Sequence, residues 1–242
     1  MSLPKPYYEH DGQTIYHADC REVLSCFSAD MLLTDPPYGI GWKSNRGKHD
    51  ILTGDDGSLM LSSWLNLAIR AIKRGRHFYI FGLTSSDVLS LPDIPACGLA
   101  ELIWDKVVMG LGDVTSPWGT SHEKILFGVQ EISEANRKKG YGVTAARLRR
   151  GSVLRFQRPH SGQTLRHPTE KPVGLLRVLI ESSTTFDEFV LDPFMGVGST
   201  LVAARDEGRK AIGIEIEEKY CEIAVQRLSQ EVFDFRGTGG SP

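Results

Sequence analysis

The stretch Thr34-Asp35-Pro36-Pro37-Tyr38 places a carboxylate and an aromatic ring three residues apart on a stiff turn. Each proline fixes its own φ, lacks an N–H and pushes the residue before it toward extended geometry. An amino group conjugated to an aromatic base is a poor nucleophile, because its lone pair is delocalised into the ring. Ionised Asp35 and the carbonyl of Pro36 offer two acceptors for its hydrogens, which would free that lone pair, while Tyr38 would stack on the base. The turn alone leaves two interpretations equally open, activation of an amino group and a proline-rich turn begun by aspartate.

The residues on either side of this turn indicate where it lies. Met31-Leu32-Leu33 fits a buried strand that the prolines end. In open α/β sheets, ligands bind outside the carboxyl ends of the strands, so this position suits a functional site. Residues 39–57 are polar and contain glycine, and they fit a plain surface loop and a base-enclosing loop equally well.

A second turn follows a predicted strand over residues 188–191. Its sequence is Asp192-Pro193-Phe194-Met195-Gly196-Val197-Gly198-Ser199-Thr200, and a helix is predicted after it. A strand, a glycine turn and a helix begin a nucleotide-binding βαβ unit, and glycine lets the backbone approach a ligand closely. The turn has G-x-G without a third glycine at dinucleotide spacing, which argues against a pyrophosphate cofactor.

Two further predicted strands end at acidic residues. Asp19 follows a strand over residues 13–18, and Glu215 follows one over residues 211–214. Each acid fits two roles, a hydrogen bond to a nucleotide-like ligand or a cap on the helix that follows it. For Glu215 the ligand group would be a ribose diol.

Charge is distributed unevenly along the chain. Residues 135–166 contain no acidic residue, whereas the net charge of the whole chain is −2. This basic segment predicts a face that binds the phosphates of DNA or RNA, and the absence of acids argues against the alternative of a solvated loop. Its cations are Arg137, Lys138, Lys139, Arg147, Arg149, Arg150, Arg155, Arg158 and Arg166.

Length and composition favour one α/β domain with a small insertion, since 242 residues with 40% hydrophobic content can bury a sizeable core. We find no run of 18 apolar residues and no apolar signal-peptide region, so no membrane span is expected. The four cysteines are scattered without a C-x-x-C pair. They predict reduced thiols in a cytoplasmic protein and no metal site.

One helix is indicated by periodicity alone. Leu61, Trp64, Leu65, Ala68 and Ile72 recur at helical spacing and predict a helix with one buried face. In this interpretation Trp64 belongs to the core, and Gly75 ends the helix.

Three motifs in this order resemble the β class of amino-methylating DNA methyltransferases: D-P-P-Y at 35–38, H-P-T-E-K-P at 167–172 and D-P-F-M-G-V-G-S-T at 192–200. The resemblance covers nearly the whole chain. It implies the cofactor S-adenosylmethionine and an α/β fold, a circularly permuted Rossmann-like sheet of seven mostly parallel strands. Asp35 and Asp192 would then meet at the topological switch point. Residues 1–242 would form a single methyltransferase domain, with a target-recognition insertion at approximately 130–166.

The resemblance also implies a role for each candidate residue. Asp35 and Pro36 would bind the target amino group, and Tyr38 would stack on the flipped base. Asp19 would lie near the adenine of the cofactor, and Glu215 would bind its ribose hydroxyls. The other cofactor-binding residues would be Lys171, in a stretch that helps to close the pocket, and the residues of the glycine turn that holds the methionine part, namely Asp192, Phe194, Gly196, Gly198, Ser199 and Thr200.

The sequence therefore predicts a DNA methyltransferase that acts on N6 of adenine after base flipping. Adenine is favoured because D-P-P-Y is commoner in the adenine enzymes of this class. The alternatives are an N4-cytosine DNA methyltransferase, an RNA amino-methyltransferase and a non-catalytic DNA-binding homologue. A homodimer is expected by analogy only.

Overall fold

A mixed sheet of nine strands organises the described part of the chain, which in this computed structural model comprises residues 3–37, 60–108, 118–131, 150–158 and 170–230. Tyr38, the loop over 39–57 and the basic residues at 137–149 and 166 lie outside the described residues. The first three residues of the H-P-T-E-K-P stretch do so as well.

The strands are β1 (Tyr8–His10), β2 (Gln13–His17), β3 (Ala29–Thr34), β4 (Ile72–Phe81), β5 (Ala96–Asp105), β6 (His122–Gln130), β7 (Val153–Arg155), β8 (Phe189–Asp192) and β9 (Lys210–Glu215). The helices are α1 (Cys20–Val23), α2 (Leu61–Arg70), α3 (Ser85–Leu89), α4 (Val173–Ser183), α5 (Ser199–Asp206) and α6 (Glu218–Leu228), with a 3₁₀ turn at Leu24–Cys26.

The strand order is β1-β2-β9-β8-β3-β4-β6-β5-β7. The strands from β2 to β4 in this order are parallel, and β6 runs antiparallel to both β4 and β5. The predicted mostly parallel α/β sheet is confirmed, but the prediction of seven strands is wrong. The two additional strands, β1 and β7, are three-residue edge strands, too short for hydrophobic alternation to mark them in the sequence.

The circular permutation appears in the pairing of β3 with β8. Leu32 of the first part of the chain lies opposite Leu191 of the last part. After β3 the sheet continues with β4 on one side, and after β8 it continues with β9 on the other side. Connections that leave in opposite directions open a crevice at the carboxyl ends of β3 and β8. The predicted meeting of these two strand ends is confirmed.

Helices cover both faces of the central strands. Every residue of β3 is buried, as expected for a parallel strand between two helical layers. Met31 and Leu33 pack in the core cluster that includes α4, α5 and α6, whereas Leu32 packs in the cluster that includes α2. Trp64, which is 2% exposed, belongs to this second cluster, and the prediction that it is a core residue is confirmed.

Helix α2 ends at Arg70, so the predictions that Ile72 belongs to this helix and that Gly75 ends it are wrong, and Ile72 is instead the first residue of β4. Gly75 lies inside β4 with a φ of 77°, close to where the pairing with β3 shifts register between Ala29 and Met31. Left-handed φ occurs both at helix ends and at strand irregularities, so the glycine alone did not distinguish the two.

No described helix has the length and apolar character needed to span a membrane. The four cysteines are free thiols. Burial raises the pKa of Cys20 and of Cys221 to about 12, so both are inert as nucleophiles near neutral pH.

Candidate active site

The crevice between β3 and β8 carries a buried carboxylate, that of Asp192. Its Oδ1 accepts hydrogen bonds from Thr34 Oγ1 at 2.7 Å and from the N–H of Phe194 at 3.1 Å. Burial raises the pKa of Asp192 to about 6, although hydrogen bonds from Thr200 and Thr34 oppose this rise. The neighbouring charge of Asp35 raises the pKa further. Asp192 thus joins the ends of two strands and fixes the start of the glycine turn.

The glycine turn has left-handed backbone at Gly196, with φ 51°, and at Gly198, with φ 77°. A Cβ added at Gly198 would lie 2.8 Å from the Cβ of Ala224 in α6. A Cβ added at Gly196 would meet nothing within 4 Å. Gly198 is therefore required by packing, whereas Gly196 presents bare backbone to open space. Helix α5 begins directly after the turn without a side-chain cap among the described residues, so its positive end faces this region.

Glu215, at the end of β9, contacts the glycine turn through its carboxylate. Its Oε2 accepts a hydrogen bond from the N–H of Gly196 at 2.9 Å, and its Oε1 accepts one from the N–H of Glu217 at 2.9 Å. Burial raises the pKa of Glu215 to about 7 in spite of these donors. The N-cap of α6 is Glu217, which has no side-chain cap hydrogen bond, so the predicted capping role of Glu215 is not realised. The bond to Gly196 links the Glu215 carboxylate to the candidate cofactor turn.

Replacing Glu215 by glutamine is expected to change how stability depends on pH. The folded-state pKa of Glu215 is raised from 4.5 to about 7, so the native state binds the carboxyl proton more tightly than the unfolded state does. The stability that this proton contributes is therefore lost as the pH rises from 4.5 to about 7. From pH 5 to pH 8, the free energy of unfolding should fall by roughly 1–3 kcal/mol more in wild type than in Glu215→Gln. Urea unfolding of both proteins at the two pH values measures this difference. Parallel pH curves for the two proteins would contradict this assignment.

Asp19 reaches the same edge of the sheet as Glu215. His17 pairs with Glu215, and the N–H of Ala18 donates to the Glu215 carbonyl at 3.0 Å. The Asp19 carboxylate accepts hydrogen bonds from the Arg21 N–H at 2.9 Å and from Arg21 Nε at 3.0 Å, which lower its pKa. The capping interpretation of Asp19 is therefore realised, and a contact with the cofactor stays a prediction.

Phe194 contributes to the turn through its backbone. Its ring packs edge-on against Trp64, with ring centroids 4.9 Å apart and an interplanar angle of 82°. The side chain thus belongs to the core on the α2 side of the sheet, while its N–H donates to Asp192.

Arg227 of α6 is a site residue that the sequence did not predict. Its Nη1 donates to the carbonyl of Val197 at 2.8 Å and to Ser199 Oγ at 3.0 Å, and its Nη2 lies 2.7 Å from Glu170 Oε1. Ser199 Oγ also donates to Glu170 at 3.2 Å. Arg227 therefore ties the glycine turn to the H-P-T-E-K-P stretch, and no sequence signal separates it from a solvent-facing arginine on an amphipathic helix.

Four charged side chains alternate in sign beside the end of β3, and we call Asp35, Lys171, Glu123 and Lys106 the charge cluster. Lys171 Nζ lies 2.6 Å from Asp35 Oδ2 and 3.4 Å from Glu123 Oε2. Lys106 Nζ lies 2.8 Å from Glu123 Oε1. The Lys171 side chain is 7% exposed and that of Lys106 is 2% exposed. The structure thus places the Lys171 ammonium against Asp35, and its contact with the cofactor stays a prediction.

The cluster keeps its charges in a poorly solvated place. Burial works against ionisation of Glu123, but the charges of Lys171 and Lys106 outweigh it, so the pKa of Glu123 is lowered. Burial lowers the pKa of Lys106, and the hydrogen bond to Glu123 opposes this effect. Glu123 and Lys106 were not predicted from the sequence, because they come from the antiparallel part of the sheet, which carries none of the three motifs.

A cleft of about 620 Å³ opens next to Asp35, at the carboxyl ends of β3 and β4. Its volume lies in the range of about 300–1,000 Å³ that is usual for small-molecule sites. Pro36 and Pro37 line the cleft together with the first residues of β6. The described lining residues are Pro36, Pro37, Leu61, Trp64, Gly82, Leu83, Asp87, His122, Glu123 and Lys124.

Three cations of the basic segment are described, and each lies near a carboxylate. Arg150 pairs with Glu181, and Arg155 Nε lies 2.9 Å from Asp105 Oδ2. Arg158 Nη2 is 4.0 Å from Glu123 Oε1, which brings the segment to the rim of the charge cluster. The Arg155 side chain remains 75% exposed.

Comparisons of sequence and fold relate the chain to known proteins. Residues 102–226 match the family model N6_N4_Mtase, described as DNA methylase. The chain is 31% identical to the putative methylase YubD of Escherichia coli (strain K12), over 87% of this chain and 88% of that protein. It is 27% identical to the DNA adenine methyltransferase YhdJ of the same organism, over 91% and 84% of the two chains. The crystal structure of the M1.HpyAVI–SAM complex has the same fold, with a TM-score of 0.67 and 20% identity over 90% of this chain and 100% of that chain.

Proposed function

Since this chain belongs to the N6_N4_Mtase family of DNA methylases, we propose that it transfers a methyl group from S-adenosylmethionine to the N6 amino group of adenine in duplex DNA. One observation carries the proposal. The pairing of β3 with β8 brings Asp35, the candidate acceptor for the target amino group, to the crevice that holds Asp192 and the glycine turn. Adenine is favoured by the D-P-P-Y motif and by the similarity to the adenine methyltransferase YhdJ.

The residues around the glycine turn fit this cofactor. When bound, S-adenosylmethionine supplies an electrophilic methyl group on a sulfonium centre. Gly196 leaves open space beside its backbone, which suits close approach of the methionine part. Glu215, at the end of the neighbouring strand, presents a carboxylate that accepts hydrogen bonds, as a ribose diol requires.

Asp35 would act on the target amino group. The target base would enter the cleft beside Pro36 and Pro37, where the Asp35 carboxylate and the Pro36 carbonyl accept its two amino hydrogens. These bonds would localise the nitrogen lone pair and direct it toward the cofactor, which the residues of the glycine turn would hold. Formation of the nitrogen–methyl bond would break the methyl–sulfonium bond and release one amino proton on the side of the Asp35 carboxylate. Lys171 fixes the Asp35 carboxylate through the contact at 2.6 Å. Tyr38 would stack on the base, as the resemblance implies.

Digestion and mass spectrometry of DNA incubated with the protein and isotope-labelled S-adenosylmethionine test the proposed function. We expect the label in N6-methyladenine. Label in N4-methylcytosine would overturn the base assignment and retain the mechanism, since the family includes both amino positions. Absence of label on DNA of varied sequence, with transfer to RNA in a parallel reaction, would favour the RNA alternative.

The basic segment, residues 135–166, belongs to the proposed target-recognition insertion, approximately residues 130–166, within a single methyltransferase domain. Replacing Arg150 and Arg155 together by glutamine is expected to reduce the slope of log K against log salt for duplex DNA by up to about 0.9 per lost phosphate contact. Fluorescence anisotropy over a series of salt concentrations measures this slope. The control is Arg70→Gln with Arg74→Gln, two arginines at the end of α2 and the start of β4, outside the basic segment. A slope equal to that of wild type would argue against contact between the two arginines and phosphate.

Two broader features complete the proposal. A cytoplasmic location suits a DNA substrate and four free thiols. A homodimer is proposed by analogy, and light scattering coupled to size exclusion tests it.

A further inference from the structure

The charge cluster connects Asp35 to a second carboxylate. Lys171 lies between the two, 2.6 Å from Asp35 Oδ2 and 3.4 Å from Glu123 Oε2. Lys106 binds the other oxygen of Glu123 at 2.8 Å. The cluster therefore contains two cations and two anions. Neighbouring contacts share a charged group, so a change in the strength of one contact changes the strength of the next.

Two aromatic rings, those of Phe81 and Trp104, lie close to the two ammonium groups. Lys171 Nζ lies 5.1 Å from the ring centroid of Phe81 and 6.0 Å from that of Trp104, and Lys106 Nζ lies 5.3 Å from Trp104. These rings attract the cations and limit their access to water. The positions of both ammonium groups thus depend on the carboxylates that bind them.

Glu123 Oε2 has an unusual environment. It is buried, and it accepts no hydrogen bond within the part of the chain that the structure describes, although Lys171 lies close to it. Glu123 also lines the cleft beside Pro36 and Pro37. A buried carboxylate oxygen of this kind interacts with Lys171 mainly through charge, so Glu123 competes with Asp35 for the same cation.

We propose that Glu123 is a positioning residue for methyl transfer, which acts through Lys171 and sets how strongly that ammonium binds Asp35. This inference rests on the proposed function. A carboxylate that is held too tightly by a cation is a weaker acceptor for the hydrogens of the target amino group. A carboxylate that loses its cation also loses its orientation. Glu123 balances these two effects by taking part of the charge of Lys171, while Lys106 keeps Glu123 itself in place.

Substitutions that shift the charge of the cluster in opposite directions test the inference. Glu123→Gln leaves two cations with one anion, and Lys106→Met leaves two anions with one cation. The kcat of each variant is expected to fall roughly tenfold to hundredfold, as expected when one charge a few ångströms from the reacting group is removed. The kcat of the double variant should equal that of Glu123→Gln alone, because Lys106 acts through Glu123 and its loss adds nothing once Glu123 is neutral. A purely structural role predicts that the two losses multiply.

The measurement is single-turnover transfer of labelled methyl to DNA, together with calorimetric binding of S-adenosylmethionine to every variant. Cofactor affinity should stay at the wild-type value, which also shows that the variants are folded. The matched control is Glu207→Gln, which removes a glutamate that pairs with Arg177 at 2.6 Å, and its kcat should equal that of wild type.

Two results overturn the inference while the proposed function stands. One is wild-type kcat in Glu123→Gln, and the other is a double variant with the multiplied loss. A wild-type protein that binds S-adenosylmethionine but transfers no methyl group to any DNA overturns the proposed function, and the inference with it.

Discussion

Asp35→Ala is expected to reduce kcat for methyl transfer by about 10³-fold or more, while the affinity for S-adenosylmethionine stays close to that of wild type. The physical reason is that the variant loses the only side-chain carboxylate that the D-P-P-Y motif offers to the target amino group. The Pro36 carbonyl alone would leave much of the nitrogen lone pair delocalised in the base. Single-turnover transfer to DNA measures the rate, and calorimetry measures the affinity.

The fold should survive this substitution. Lys171 loses its contact with Asp35 but keeps Glu123 at 3.4 Å, so the buried ammonium retains a counter-charge. Asp30→Ala is the matched control, because Asp30 is a buried aspartate of β3, the strand that Asp35 directly follows, and its carboxylate pairs with Lys73 at 2.7 Å. We expect Asp30→Ala to lower stability and to leave kcat per folded molecule unchanged. Turnover at the wild-type rate in Asp35→Ala would exclude the assigned role.

The central part of the site could be predicted because its residues lie at the ends of strands. Asp35, Asp192 and Glu215 each follow an apolar run, and the carboxyl ends of parallel strands meet at one edge of a sheet. The order of three motifs further indicated which strands are neighbours. Asp19 also realises the capping role that local sequence suggested, because this role depends on a residue only two positions away.

The remaining site residues depend on tertiary packing, which leaves no local pattern. Arg227 is buried against Val197 and Ser199 only because α6 packs on the glycine turn. Glu123 and Lys106 come together because β5 and β6 are antiparallel neighbours, so the end of one lies beside the start of the other. From sequence alone, a charged residue is predicted to be solvent-exposed unless a residue of opposite charge lies close to it in the chain.

Gly198→Ala is expected to lower the free energy of unfolding by roughly 2–4 kcal/mol and to weaken binding of S-adenosylmethionine. Two effects add at this position. Alanine pays a conformational penalty at a φ of 77°, and its Cβ would lie 2.8 Å from the Cβ of Ala224, so α6 has to move. Because α6 carries Arg227, which binds Val197 and Ser199, a shift of this helix also displaces the glycine turn. Urea unfolding and calorimetry measure the two losses.

Gly196→Ala separates cofactor contact from packing. Its φ of 51° is also unfavourable for alanine, but the added Cβ meets no atom within 4 Å, so only the conformational term of about 1–2 kcal/mol applies to stability. If the methionine part of the cofactor occupies the open space beside Gly196, the new methyl group fills that space. The loss of binding free energy should then exceed the loss in the free energy of unfolding. A cofactor bound in that space would clash with the added methyl group. Wild-type affinity in Gly196→Ala would therefore show that the cofactor lies elsewhere.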